Sequence, residues 1–325
     1  MSLARRLQRA PSFILGVTKP VASNSGLHAS NTPVGSLTTT SGNVSHSTDN
    51  ATFIGIRFTG HVTITGKNIT YINCWFNAPA DGVSSLIVNA LHSNIQNLKF
   101  ENCLFKPSSY SSTTTNSIGG CIMGHDFTLY RCDLSGGIDL IDVYSGVSLS
   151  TPAQNVSILG CYLHDNLFYS PDSGHLDNQS HSDGVQVHGG AQNFLMRGTN
   201  QTGLLDPAQG QAADPPVDDG NGNHLSGNVQ YPSLSAMSCF MLSPVDTTAG
   251  VDSFVVDQNW LGGGTVIFNW PRSDGTNIFI TNNRWTRGSY LGDDYTVLMD
   301  PAQVATITGN YYDDTHAAWN GRKIG

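Results

Sequence analysis

Charge is scarce in this chain. Only 12% of its 325 residues are Asp, Glu, Lys or Arg, and the net charge is −9. After Arg5, Arg6 and Arg9 no cluster of Lys or Arg follows. That argues against nucleic acid as a partner, since binding it needs clustered Lys and Arg to neutralise phosphates. Long apolar runs are missing too. The N-terminal run from Phe13 to Val17 is too short for a signal-peptide core or a membrane span, so neither signal-directed export nor membrane insertion is expected. No stretch longer than about a dozen residues carries the 3.6-residue period of an amphipathic helix. Helix content should be small. Six cysteines are too few for a disulfide scaffold.

Four of those cysteines, Cys74, Cys103, Cys132 and Cys161, lie at a constant spacing of 29 residues. Each closes the same local frame, as in Asn68-Ile-Thr-Tyr-Ile-Asn-Cys74 and Asn97-Leu-Lys-Phe-Glu-Asn-Cys103. The frame continues with Asn in the Cys slot at Asn259, Asn283 and Asn310, and a weaker copy ends at Thr199. Within each copy apolar residues alternate with others, the period of a strand. A shorter strand-like segment precedes most copies, for example Asp139-Leu-Ile-Asp-Val-Tyr144 and Asp183-Gly-Val-Gln-Val-His188. Fixed repeats of this length, built of two or three short strands with Gly, Asn, Asp and Pro between them, describe a parallel β-helix. The class is all-β, with about eight to nine coils.

Such a solenoid accounts for the composition. Successive coils lie about 4.7–4.9 Å apart, so equivalent side chains stack in columns. Stacked like charges repel, whereas Thr, Ser, Asn and Cys stack at little cost. The cysteine column is expected to be reduced, buried filler, with Cys121 and Cys239 also in the core. The chain divides into a basic N-terminal arm over 1–22 and one β-helix domain over 23–325. Residues 18–45 read as a linker or as the irregular cap over the first coil. Two long insertions, about 164–182 and 200–236, interrupt the repeat, and insertions in solenoids collect on the binding face.

Chemistry-bearing residues concentrate between His164 and His188. Aligning Val143-Tyr144-Ser-Gly with Val187-His188-Gly-Gly pairs Asp139 with Asp183, Asp142 with Gln186 and Tyr144 with His188, one rung apart. If the valines point inward, Asp142, Tyr144, Gln186 and His188 form an outward strip, flanked by Asp183 and by His164, Asp165 and His181. Trp260 and Trp270 are candidates to extend it. Carboxylates, amide and imidazole suit sugar hydroxyls, and an aromatic face suits a pyranose. Three readings compete. In the first, Asp183 with Asp139, or with Asp165, supplies acid and base, with His181 or His188 as proton carrier. In the second, the strip binds without turnover. In the third, Asp183 satisfies turn amides and the histidines cap a corner. The His and Asp residues have no fixed ligand spacing, so no metal and no cofactor is assigned. Asp218-Asp-Gly-Asn-Gly-Asn223 has oxygen-rich spacing compatible with calcium, against the plainer reading of a solvated turn.

The run Phe58-Thr-Gly-His-Val-Thr-Ile-Thr-Gly-Lys-Asn-Ile-Thr-Tyr-Ile-Asn-Cys74, the centre His181-Ser-Asp-Gly-Val-Gln-Val-His-Gly-Gly190 and Asp257-Gln-Asn-Trp-Leu-Gly-Gly-Gly264 resemble right-handed parallel β-helix proteins of the pectate-lyase-like superfamily. Within it the chain is similar to single-domain β-helix minor tail proteins of phages infecting actinobacteria, and to related secreted β-helix proteins of those bacteria, over about residues 30–315. The resemblance implies a right-handed solenoid and a place in the virion tail. It implies docking on other tail proteins, for which the N-terminal arm is the candidate, and contact with host cell-surface polysaccharide. Tail β-helices are often trimers, so a homotrimer is one implied arrangement, although no heptad-patterned stalk is present. The catalytic motifs of related polysaccharide-degrading enzymes do not carry over. Only Asp183 matches the first of the polygalacturonase carboxylates, and neither an Asp-Asp pair nor Arg-x-Lys follows at coil spacing. A depolymerase, by hydrolysis or elimination, and a purely architectural spacer remain the alternatives to glycan binding.

Overall fold

The computed structural model describes residues 18–109, 118–167, 180–205, 237–242, 250–262, 266–285, 297–313, 315–319 and 323–324. They form a right-handed parallel β-helix of triangular section. Three parallel sheets run its length, each of nine or ten strands drawn from successive coils. Sheet 1 starts with Thr38–Thr40, sheet 2 with Val44–His46 and sheet 3 with Thr52–Ile54. The chain visits the sheets in that order nine times before a last pair of strands, Tyr311–Tyr312 and Lys323–Ile324.

The 29-residue repeat holds only in the middle. Trp75, Leu104, Asp133 and Tyr162 pair in turn along sheet 1 at that spacing. The first two coils are much tighter: Thr38 lies opposite Ile56, and Arg57 opposite Trp75, each eighteen residues on. The excursions expected at 164–182 and 200–236 begin later than that. Strands Tyr162–Leu167 and Asn200–Leu205 run through their first residues. Residues 168–179 and 206–236 lie outside the described part, and with them the candidate calcium stretch.

One corner is turned by a stack of left-handed residues. Asn50, Asn68, Asn97, Asp126, Asn155 and Asn193 all have positive φ there. Asn and Asp tolerate that region better than other residues with a side chain. Their side chains add a ladder along the axis: Asn68 donates to Asn50 at 3.0 Å, Asn97 to Asn68 at 3.2 Å, and Asn155 to Asp126 at 2.7 Å.

The interior is a set of columns. Phe53, Tyr71 and Phe100 stack face to face at 5.1 and 5.0 Å, beside a stack of Phe58, Phe76 and Phe105. Cys74, Cys103, Cys132 and Cys161 line up as expected, all fully buried and free. Cys121 is buried in the core as well; the side chain of Cys239 lies outside the described part. Further along, the slot passes to Thr199, whose hydroxyl accepts the Cys161 N–H, and then to Asn259, Asn283 and Asn310.

Residues 18–31 neither cap an end nor link domains. They form a strap along the outer face of sheet 1, running against the coil order. Lys19 pairs with Asp313 of the last coil at 3.5 Å, the Pro20 carbonyl accepts from Asn200, and Gly26 and Ala29 bond Arg131 in the middle of the rod. The strap includes the C-terminal end of the expected arm; residues 1–17 lie outside the described part.

Candidate functional site

The register expected around His188 is present. Ile141 pairs with Val185, Asp142 with Gln186 and Val143 with Val187. The valines and Ile141 are in the core, so Asp142 and Gln186 face outward. The His188 N–H donates to the Val143 carbonyl at 3.0 Å, which extends the register to Tyr144 opposite His188. Their rings meet edge to face at 6.0 Å.

Behind these two rings lie three carboxyl groups. Asp142 is 2% exposed, and its Oδ1 is 3.1 Å from His188 Nε2. Its other oxygen lies over Gly120 on the preceding coil, where a Cβ would come within 2.8 Å. Asp139 and Asp183 are engaged differently. The Asp183 N–H donates to Asp139 Oδ1 at 2.6 Å, and the Ser238 N–H donates to Asp183 Oδ1 at 2.8 Å. Each carboxyl thus receives the amide of the next coil, a ladder that carries the sheet's hydrogen bonding through side chains. Burial pushes the Asp183 carboxyl up to about 8; the Ser238 amide opposes this and the Asp142 charge adds to it. Burial also raises Asp139 well above the carboxylate range, helped by the charges of Asp142 and Asp183. Both shifts are upward because ionising either carboxyl would place negative charge in a poorly solvated cluster.

Local packing fixes this geometry. Gly184 has no side chain because Gln201, reaching across from sheet 1, fills the space above it. Asn166 Nδ2 donates both to the Ile138 carbonyl and to that of Asp183, at 3.0 and 2.8 Å, which ties the sheet 1 edge to sheet 2. His181 stands half-buried just before the strand Ser182–Val187.

His164 and Asp165 do not join the strip. They lie on sheet 1, where His164 Nδ1 and Nε2 sit 2.9 Å from Asp165 Oδ2 and 2.9 Å from Asp133 Oδ1. The His164 ring stacks on Tyr162 at 4.1 Å. Gly26 of the strap packs on Asp133, where a Cβ would come 2.8 Å from the aspartate Cβ. The result is a sealed Asp–His–Asp triad with His164 at 5% exposure. Burial would lower its pKa, but the two flanking carboxylates outweigh that and raise it to about 10. This is a charged structural staple with no route for a sugar. Asp165 is engaged with His164 on sheet 1 while Asp183 stands on sheet 2, and no contact between the two carboxyls supports them as an acid and base pair among the described residues.

The two tryptophans do not extend the strip either. Trp270 is fully buried in the core, edge-on to Phe254 at 5.0 Å. Trp260 is on sheet 1 under the Arg284 guanidinium, 4.4 Å from the ring centre, and 3% exposed.

Two residues near the site escape a reading of the sequence. Arg272 is 4% exposed, ion-paired to Asp274, and its guanidinium donates to the Gly189 carbonyl directly after His188. Arg272-Ser-Asp274 is visible as a local pair; its contact with residue 189 is not. His125 follows Gly124 as Tyr144 follows Val143, and the Tyr144 N–H donates to the Gly124 carbonyl, so His125 occupies the same column one coil earlier. On sheet 2 the spacing between paired residues changes from coil to coil (Val88 to Ile122, Ile122 to Ile141, Ile141 to Val185), which hides it.

Among the described residues no group of three or more His, Cys, Asp or Glu side chains is arranged to hold a metal ion. No helix among them is long and apolar enough to cross a membrane. No protein-family model matches the chain, and no curated protein matches it. Among solved structures, that of QnrB1, a plasmid-mediated fluoroquinolone resistance protein, is similar at 14% identity over 85% of this chain and 92% of its own, with a TM-score of 0.22. A likeness that low bears on neither fold nor function; the fold rests on the three continuous parallel sheets of the chain itself.

Proposed function

We propose that this β-helix is a minor tail component of a phage particle that contacts host-surface glycan through an outward patch on sheet 2, formed by Tyr144, Gln186 and His188. The observation that carries the binding part is the edge-to-face pair of Tyr144 and His188 on the outer face, backed by buried Asp142 on His188 Nε2. The carboxylate orients the imidazole and fixes which nitrogen carries its proton. Gln186, half-buried beside it, offers an amide for hydroxyls. The tail assignment is supported by the resemblance of the segments at 58–74, 181–190 and 257–264 to actinobacterial phage tail β-helices.

Binding without turnover is favoured because Asp139 and Asp183 already accept the amides of the next coil. One observation favours a depolymerase instead. Asp183, with its pKa at about 8, holds a proton at neutral pH, as a general acid must. Incubation with actinobacterial cell-wall polysaccharide separates the readings. Retained sugar without cleavage supports binding, and Tyr144→Ala with Gln186→Ala should then reduce retention at least tenfold with an unchanged thermal midpoint. New reducing ends indicate hydrolysis, and absorbance from an unsaturated uronide indicates elimination. Neither retention nor cleavage leaves the architectural spacer. Retention unaffected by the double variant places the contact elsewhere on the solenoid.

A further inference from the structure

The column next to the Tyr144–His188 ring pair sets what the sheet 2 patch can read. Strand pairing puts Asn89, Met123, Asp142, Gln186, Met241 and Asn269 in line on successive coils. Their strand neighbours Ile122, Val185, Phe240 and Phe268 are in the core, so the line faces outward. Asp142 is its only ionisable group, 2% exposed and with one oxygen on His188. Gln186 and Met241 stand on neighbouring rungs, both half-buried. The Gln186 side-chain amide makes no hydrogen bond to another described residue.

On the other side of the rings the chain turns at once after Tyr144. Ser145 Oγ donates to the Ser148 carbonyl at 3.0 Å and accepts the Val147 N–H at 3.3 Å, and the Thr151 N–H donates to the Ser148 carbonyl at 3.1 Å. The turn holds Val147 and Leu149 outward, at 63% and 40% exposure. The Leu149 carbonyl packs over Gly189, which puts this apolar rim directly beside His188.

An acidic ligand finds no free cation here. The Arg272 guanidinium is 4% exposed and engaged with Asp274 and the Gly189 carbonyl. The His188 imidazole already faces the Asp142 carboxylate. A uronate or a phosphodiester laid on the two rings would meet that carboxylate behind them, on a chain of net charge −9.

The line does offer an amide next to a thioether, about 4.8 Å apart across the sheet. A sugar hydroxyl alone uses Gln186 and leaves Met241 wetted. A methyl alone uses Met241 and leaves the amide unpaired, at a cost. An acetamido group has both parts. Its N–H and C=O match the C=O and NH₂ of Gln186, and its methyl suits the polarizable thioether. The Tyr144 ring takes the apolar face of the same sugar.

We infer, given that this patch is the glycan contact, that it takes an uncharged, N-acetylated glycan, with Gln186 and Met241 reading the acetamido group and Val147 and Leu149 bordering the sugar.

The experiment passes actinobacterial cell-wall polysaccharide over the immobilised full chain in four forms: untreated, de-N-acetylated, re-N-acetylated with acetic anhydride, and carboxyl-reduced. Retention should fall at least tenfold on de-N-acetylation, return on re-N-acetylation and be unchanged by carboxyl reduction. Gln186→Leu keeps the side chain's size and removes its amide. It should retain the untreated polymer at least tenfold less, lose nothing further on de-N-acetylation, and keep its thermal midpoint. Retention that is indifferent to de-N-acetylation but lost in Tyr144→Ala overturns the acetamido assignment and leaves the patch standing. Stronger retention of the de-N-acetylated polymer overturns it in favour of an ammonium ligand, and loss on carboxyl reduction in favour of an acidic one. Retention indifferent to both de-N-acetylation and Tyr144→Ala, or no retention of the untreated polymer, overturns the patch as well.

Discussion

Replacing Asp183 with Asn tests whether the carboxyl ladder is an electrostatic liability that the fold tolerates by keeping its protons. The folded chain holds the Asp183 proton up to about pH 8, whereas an ordinary aspartate releases it near 3.8. Between those values the unfolded state binds fewer protons than the native state, so stability falls as pH rises. At about 1.4 kcal/mol per pH unit the fall sums to about 6 kcal/mol between pH 4 and pH 8. The amide of the Asp183→Asn variant would keep an oxygen to accept the Ser238 N–H, now at 2.8 Å from Asp183 Oδ1, and would not ionise.

The two proteins should therefore be about equally stable at pH 4, with the Asn variant more stable by several kcal/mol at pH 8. For 325 residues, at about 2.1 cal/mol/K of unfolding entropy each, that is about 8 °C in the thermal midpoint. Melts followed by circular dichroism from pH 4 to pH 9 read the difference directly. Asp139, also held above the carboxylate range, adds slope of the same sign to both proteins, and less of it in the Asn variant, which lacks the Asp183 charge that helps raise it. Parallel curves for the two proteins, or a variant less stable than the parent at pH 8, would refute the reasoning. So would a depolymerase activity abolished by the change, which would give the raised pKa a catalytic purpose.

Three other expectations follow from single columns. His164 is raised to about 10 between Asp133 and Asp165, so its contribution is complete below pH 6.5 and fades as pH climbs toward 10; His164→Gln should cost about 3–5 kcal/mol in urea titrations at pH 6 and little at pH 10. Asn283 accepts the Asn259 amide and donates to the Val256 carbonyl at full burial, so Asn283→Leu should lower the urea midpoint by an equivalent of about 2–4 kcal/mol through orphaned partners, despite its gain in apolar volume. Cys74, Cys103, Cys121, Cys132 and Cys161 are buried and free, so peptide mapping after maleimide treatment should find them unlabelled in native protein and labelled at the unfolding rate in urea.

The parts of the fold legible in sequence are those where one coil repeats the last without insertion. The cysteine spacing fixes the strand frame of sheet 3, and the Val143–Val187 alignment fixes the rung at Asp142 and Gln186, because a strand's period of two leaves one register that buries the valines. The two eighteen-residue coils stay hidden because the cysteine slot is first filled at Cys74, at the end of the second of them, so no earlier cysteine marks their spacing. Their turns are short, with Gly42, Asn50, Gly55, Asn68 and Asn73 at positive φ. The fate of His164 is not written in its own neighbourhood. Local sequence puts it in a polar run, but its burial depends on Gly26 and Pro20, far away in the chain and brought over sheet 1 by the strap. Trp270 misleads for a related reason. Aromatic residues appear on both faces of a solenoid strand, and only its alignment with Phe254 and Phe268 assigns it to the core.

The same contrast separates the structural carboxylates from the patch proposed to bind. Asp139 and Asp183 each accept an amide of the next coil through one carboxyl oxygen, and Asn166 ties its own coil to the one before, so these groups hold the rungs in register. Tyr144, Gln186 and His188 stand on the same rungs but on the outward parity, half-buried, with their backbones already paired. A solenoid can vary such residues at small energetic cost because each touches only its neighbours above and below. A binding function therefore belongs on that parity. Changes at Tyr144 or Gln186 should alter ligand retention without moving the thermal midpoint, whereas changes at Asp183 should move the midpoint first.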